Sequence, residues 1–154
     1  MLTFKHAYHY TSRGNVVYTY YSEAPPDLLV AIANKKAILT DDTHAFVKKY
    51  DPDHILIDAY ILNFKTGDIS FNIEIVKNIY ILNIKAIRDA VLKELDTEQL
   101  KSMTNPVKLA RIENVKQQLR DLPILLQQSM VNCNNLVDLR HIMPPILTTY
   151  KEMI

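Results

Sequence analysis

The sequence predicts an α+β chain: a small antiparallel β-sheet over about residues 1–76, followed by an α-helical hairpin and a helical tail over 77–154. Three observations carry that prediction. Up to Asn78, short runs rich in Val, Ile, Tyr and Thr are separated by Gly, Pro, Asn and Asp, and the clearest of them alternates apolar and polar residues. Beyond Asn78 the apolar residues recur every three or four positions, the period of a helix with one buried face. Charge divides at the same place: residues 1–76 hold seven Lys/Arg and nine Asp/Glu, a net of −2, whereas 77–154 hold eleven and eight, a net of +3. Strands first and helices second imply segregated layers, not βαβ units around a parallel sheet. A length of 154 residues suits one domain, or a small domain with a helical appendage.

Taken in order, His6-Ala-Tyr-His-Tyr10 and Val16-Val-Tyr-Thr-Tyr-Tyr21 flank a segment containing Ser12, Gly14 and Asn15, and read as a β-hairpin. Pro25-Pro26-Asp27 ends the second strand, because proline cannot donate to a ladder. Leu28–Ala33 fits one short helix with proline at its first turn, a buried strand being the competing reading. Ala37–Thr40, Ala45–Val47 and Ile55–Phe64 continue the β module, the last joined through Lys65-Thr-Gly-Asp68 to Ile69–Ile75. There Ile69, Phe71, Ile73 and Ile75 alternate with polar residues, which predicts a strand and makes the join a hairpin loop.

In the second half, Ile84, Ile87, Val91, Leu92 and Leu95 predict an amphipathic helix over about 83–102. Asn105-Pro106 offers a cap and a first-turn proline to a second helix, with Leu109, Ile112, Val115 and Leu119 as its stripe and Pro123 expected to stop or kink it. A third helix over Ile124–Leu139 is interrupted by Asn132-Cys-Asn-Asn135, and Pro144-Pro145 sets off a short tail.

Several chemistries are excluded or weakly supported. With only Gly14 and Gly67 there is no glycine-rich phosphate loop, and no serine stands in a G-x-S-x-G turn. A single cysteine, Cys133, forms no internal disulfide and favours a reducing compartment. Pairing of Cys133 with His141, eight residues on, would place two side chains about 12 Å apart along one helix, so an inert half-buried thiol is the simpler reading. Two acidic clusters ending in histidine, Asp41-Asp-Thr-His44 and Asp51-Pro-Asp-His54, have metal-ligand chemistry, but Asp and Pro are normal strand-boundary residues and a turn is the simpler reading. Tyrosines 8, 10, 18, 20 and 21, with His6, His9 and Arg13, are compatible with a stacking platform for a single strand or a sugar, or with cross-strand packing. A net charge of +1 gives no general attraction to nucleic acid or to an anionic membrane. Every apolar run is broken by polar residues, and Met1–Tyr10 lacks the apolar centre of a signal peptide, so a soluble, unprocessed chain is expected.

One segment carries a resemblance. Ile87-Arg88, Val91-Leu92, Leu95-Asp96 and Glu98-Gln99-Leu100, then a proline-containing spacer and Val115-Lys-Gln-Gln-Leu-Arg-Asp-Leu-Pro123, resemble the C-terminal segment of tailed-phage tail assembly chaperones and tail-fibre assembly proteins. In that family a helix of I-R-x-x-x-x-L-L-x-x-x-D-W-x-Q-L type precedes Y-R-Q-x-L-R-D-L-P, and Leu119-Arg-Asp-Leu-Pro123 is the closest local match. The similarity covers about residues 84–123. It departs at Thr97, where the family has tryptophan, at Val115, where it has tyrosine, and at Lys116, where it has arginine.

The resemblance implies a non-catalytic assembly protein that binds a phage tail or tail-fibre structural protein through apolar helix faces. The partner-binding residues expected on that basis are Ile84, Ile87, Val91, Leu95, Leu100, Val115 and Leu119, with Arg120 and Asp121 ending the second helix before Leu122-Pro123. No catalytic residue, metal or other cofactor is expected, nor a membrane or nucleic-acid partner, and homo-oligomerisation is left open. The expected location is the host cytoplasm during assembly, or the virion tail if the protein is retained. Two other classes fit the residues: a minor structural component of the tail or baseplate, joined through a sheet edge, and a small metal-dependent enzyme built on the Asp/His clusters.

Overall fold

A computed structural model describes residues 5–140 and 142–154 of the chain. The protein is α+β, with its antiparallel strands first and its long helices second. It divides into two compact units, Met1–Val76 and Lys77–Ile154.

In the first unit, β1 (His6–Tyr10) and β2 (Val16–Tyr20) form the expected hairpin, with Tyr8 opposite Tyr18. Its turn closes through Thr11 N–H to the Asn15 carbonyl (2.8 Å) and Gly14 N–H to the Thr11 carbonyl (2.9 Å). Gly14 sits at φ +82°, a conformation that side-chain-bearing residues rarely adopt. β3 (Ala37–Thr40) pairs antiparallel with the other edge of β1, giving the order β2-β1-β3. The connection is α1 (Pro26–Ala33), with proline at its first turn. Leu28 of α1 packs with Ala7 and Tyr21, and Ile32 and Leu39 border this small core.

Ala45–Val47 is not part of the sheet. It lies in α2 (Ala45–Tyr50), because the His44 side chain caps the helix by accepting the Phe46 N–H (3.2 Å) and Val47 is fully buried. The long run Ile55–Phe64 is likewise divided into a 3₁₀ turn, Ile57–Ala59, and β4 (Tyr60–Asn63). The cause is Asp51, whose carboxylate takes the N–H groups of Ile55 (3.1 Å) and Leu56 (2.9 Å) and so bends the chain before it can extend. β4 pairs antiparallel with β5 (Asp68–Phe71) across a tight loop at Gly67.

The strand expected to run to Ile75 ends at Phe71, and Ile73 already begins α3 (Ile73–Lys101). Asn72 makes the switch. Its side-chain oxygen accepts the Glu74 (3.2 Å) and Ile75 (3.4 Å) N–H groups, and its carbonyl takes that of Val76 (3.1 Å). Three hydrogen bonds to one residue at a helix start outweigh a two-residue extension of the alternating pattern.

In the second unit α3 turns through residues 102–105 into α4 (Pro106–Met130), capped by Asn105, whose side chain accepts the Lys108 N–H (3.1 Å). Pro123 lies inside α4 and does not end it. An interior proline costs about 3 kcal/mol, yet Leu119, Leu122, Leu126 and Met130 remain on one buried face across it, and burying each is worth about 1.5–3 kcal/mol. Packing therefore wins over the missing hydrogen bond. The expected third helix is thus shared between the end of α4 and α5 (Leu136–Arg140), separated by the Asn-rich turn. α6 (Ile146–Thr149) and a 3₁₀ turn, Tyr150–Met153, complete the tail.

Candidate functional site

The helical unit contains the residues expected to meet a partner. Ile84, Val91 and Leu95 of α3 interlock with Ile112, Val115, Leu119, Leu122 and Leu126 of α4, and Leu147 and Tyr150 of the tail close the same core. Spacings of three and four residues along α4 align its contributors in one stripe, as a helix–helix seam requires. Five of the seven apolar residues assigned to a partner, Ile84, Val91, Leu95, Val115 and Leu119, are therefore at most 6% exposed and spend their surface inside the molecule. This corrects the expected open flank: the chain's own second helix and C-terminal segment cover it.

Ile87 and Leu100 differ. Ile87 is 42% exposed and Leu100 73%. Leu100 belongs to a group at the turn of the hairpin, where Met103 (65%) and Val107 (62%) are equally open to water. Further along, Ile124 and Leu125 are exposed on α4 beside Pro123. Met103 and Val107 escape a periodicity search because one stands in the turn and the other in the first turn of α4, outside the regular stripe.

Arg120 and Asp121 do not terminate a helix. They lie on the solvent face of α4, where Arg120 Nη1 meets Glu113 Oε1 at 2.8 Å and the Asp121 carboxylate accepts from Gln117 Nε2 at 3.1 Å. Glu113 is held below its usual carboxyl range by that arginine, first through the hydrogen bond. Such exposed pairs contribute little to stability. A more consequential pair joins the two helices: Lys116 Nζ, buried with its stem, lies 2.6 Å from Asp96 Oδ1 and 2.9 Å from Gln99 Oε1. The aspartate and the lysine of the two motif halves thus meet across the hairpin and set its register.

The first unit gathers histidines and tyrosines. On β1 and β2, Tyr8 and Tyr18 face one another with ring centroids 5.0 Å apart, and Tyr18 stacks on His54 at 4.1 Å with the rings 19° from parallel. His54 Nε2 is 3.1 Å from the Tyr8 hydroxyl, and His6 Nδ1 is 2.5 Å from that of Tyr18. Burial raises the Tyr8 phenol to about 12 and lowers His54 below the ordinary imidazole value, outweighing the attraction of Asp51 and Asp53. His54 is held at φ +56°, a strained setting for a side-chain-bearing residue. Asp51 holds it there: its buried carboxylate takes the Ile55 and Leu56 N–H groups and the Tyr60 hydroxyl (2.5 Å). Burial, and then this bond, push the Tyr60 phenol far up.

The two acidic clusters do not converge on a metal. Asp42 accepts its own neighbour's N–H from Thr43 and pairs with Lys48, while His44 caps α2 and contacts the Gly67 carbonyl through Nε2 at 2.8 Å. Among the described residues no group of three or more His, Cys, Asp or Glu side chains is placed to hold an ion. Of the expected stacking platform, Tyr8, His9 and Tyr21 are buried and Tyr8 packs against Tyr18, whereas Tyr10 and Tyr20 remain 38% and 65% exposed. A groove of about 550 Å³ in this unit is lined by Tyr10, Ser12, Asp27, Val30, Lys36 and Phe64. Cys133 is buried, with its Sγ 3.6 Å from the Ser129 carbonyl, and its suggested partner His141 lies outside the described residues. No described helix is long and apolar enough to cross a membrane.

Compared with protein-family models, with characterised proteins and with solved structures, the chain matches none.

Proposed function

We propose that this chain is a non-catalytic assembly protein of the tailed-phage tail or tail-fibre kind, which binds an apolar segment of a tail structural protein. The observation that carries the reading is the group Leu100, Met103 and Val107 at the turn of the helical hairpin, three large apolar side chains each more than 60% exposed within eight residues. Burying three such side chains on a partner is worth about 5 kcal/mol before the costs of ordering and of lost rigid-body freedom. Contact of that size is reversible, which suits a factor that must release its client. The family resemblance over 84–123 supports the choice of client, and the tight Asp96–Lys116 pair keeps the turn presented on a rigid hairpin. In the host cytoplasm the protein would act before the tail is complete.

The test is co-expression with the tail and fibre genes that neighbour its own. Soluble, correctly trimerised fibre is expected only when this chain is present, and is expected to be lost with Leu100→Lys/Val107→Lys. Unchanged fibre yield and trimerisation without the chain would contradict the reading. Recovery of the chain from purified particles would assign it to the tail itself as a minor component.

A further inference from the structure

The C-terminal segment occupies the stripe that the sequence marks for a partner. Leu147 and Tyr150 sit in the α3–α4 core at 5% and 7% exposure, with Ile146 and Ile154 packed against it. Leu147, Tyr150 and Ile154 are spaced three and four residues apart, the pattern of an amphipathic helical ligand laid in a groove. The segment is nevertheless slight. It comprises a four-residue helix and a four-residue 3₁₀ turn, far below the length at which a helix holds itself together. Its side-chain ties to α3 are the Tyr150 hydroxyl on Glu94 Oε2 (2.5 Å) and Lys151 Nζ on Glu94 Oε1 (3.3 Å), the latter pair 68% and 48% exposed.

Nor does the segment fill its seat. At its start a cleft of about 340 Å³ remains between Leu122, Leu125 and Leu126 on one side and Met143, Pro144 and Pro145 on the other. At its end a second cleft, about 380 Å³, lies beside Tyr150 and Ile154 and is walled by Glu94, Glu98 and Lys108. The Pro144-Pro145 pair precedes α6 as a stiff joint.

We propose that residues 144–154 are an exchangeable strap. They cover the α3–α4 groove in cis, and the groove accepts in their place an amphipathic helical segment of another protein with the same order of groups: aliphatic, aromatic three residues on, a basic residue next to it, and aliphatic seven residues on from the first. The basic residue answers Glu94, which Lys151 of the strap holds at 3.3 Å. A longer helix of that type reaches both clefts that the strap leaves open, which gives it the advantage it needs over a tethered competitor whose effective concentration is about millimolar. The identity of the incoming segment as part of a tail protein rests on the assembly reading above; the exchange itself does not.

The experiment uses the full chain and a fluorescein-labelled peptide of residues 144–154, with no phage protein present, so that its outcome is separate from that of the co-expression test. The Leu147→Ala/Tyr150→Ala chain is expected to bind the peptide at least about tenfold more tightly than the wild type, Glu94→Gln is expected to weaken that binding, and a peptide carrying Tyr150→Ala is expected not to bind. Equal binding by the two chains, or binding by neither, overturns the proposal. If the double variant does not fold, hydrogen exchange of the wild type decides. Amides of 147–153 are expected to exchange at least about tenfold faster than those of Val91 and Leu119, and equal protection, meaning that the strap opens only with global unfolding, overturns the proposal.

Discussion

Asp51 shows how one side chain commits a neighbourhood. Its buried carboxylate satisfies two backbone N–H groups and a phenol, so Asp51→Ala strands three donors, those of Leu56 and Tyr60 buried, and is expected to cost about 3 kcal/mol or more in urea unfolding, while Tyr60→Phe, which removes one donor cleanly, is expected to cost about 1 kcal/mol. Equal losses for the two would contradict this account. His54 adds a pH dependence. Its folded pKa lies below the ordinary value because burial disfavours the cation, so the unfolded chain takes up the proton first as pH falls. Stability from the neutral ring is then complete above about 6.5 and declines as pH falls below it. His54→Asn removes the titration while tolerating the left-handed backbone, and is expected to flatten the stability profile between about pH 7 and 5. An undiminished slope would place the titration elsewhere. None of these residue roles is legible in the sequence, because Asp51-Pro-Asp-His54 reads first as an ordinary turn, which says nothing of the partners Asp51 and His54 take.

At the scale of elements, legibility follows locality. The β1–β2 hairpin, the proline-started α1 and the Asn105-capped α4 are set by residues within a few positions of one another, and each reads directly from the chain. Ile73 and Ile75 misread because alternation over seven residues is broken by three hydrogen bonds to a single asparagine. Of the two outcomes expected at Pro123, the stop does not occur, because the force that carries α4 past it is tertiary, the burial of Leu122, Leu126 and Met130. Replacing it is the check. Pro123→Ala restores a helical N–H and is expected to raise stability by about 1–2 kcal/mol, whereas a loss would show that the proline's own backbone geometry positions the packing. Leu119→Ala, at the fully buried centre of the seam, is expected to cost about 2–5 kcal/mol.

For the whole molecule, the α+β order is visible in the change of hydrophobic period near Asn78 and in the shift of net charge from −2 to +3. What the sequence does not disclose is which apolar residues remain outside. A stripe at helical spacing looks the same whether its cover is another protein or the molecule's own tail, and here the tail, set off by Pro144-Pro145, supplies Leu147 and Tyr150. Leu100, Met103 and Val107 are left to water at the turn of the hairpin, and Ile87, Ile124 and Leu125 are exposed elsewhere along α3 and α4. The most direct measurement is calorimetric titration of the purified chain with the fibre or tail protein encoded beside it, comparing wild type with Leu100→Lys/Val107→Lys. Binding with a negative heat-capacity change is expected, with at least about a tenfold loss of affinity in the variant; wild-type affinity in the variant would exclude the hairpin turn as the contact surface.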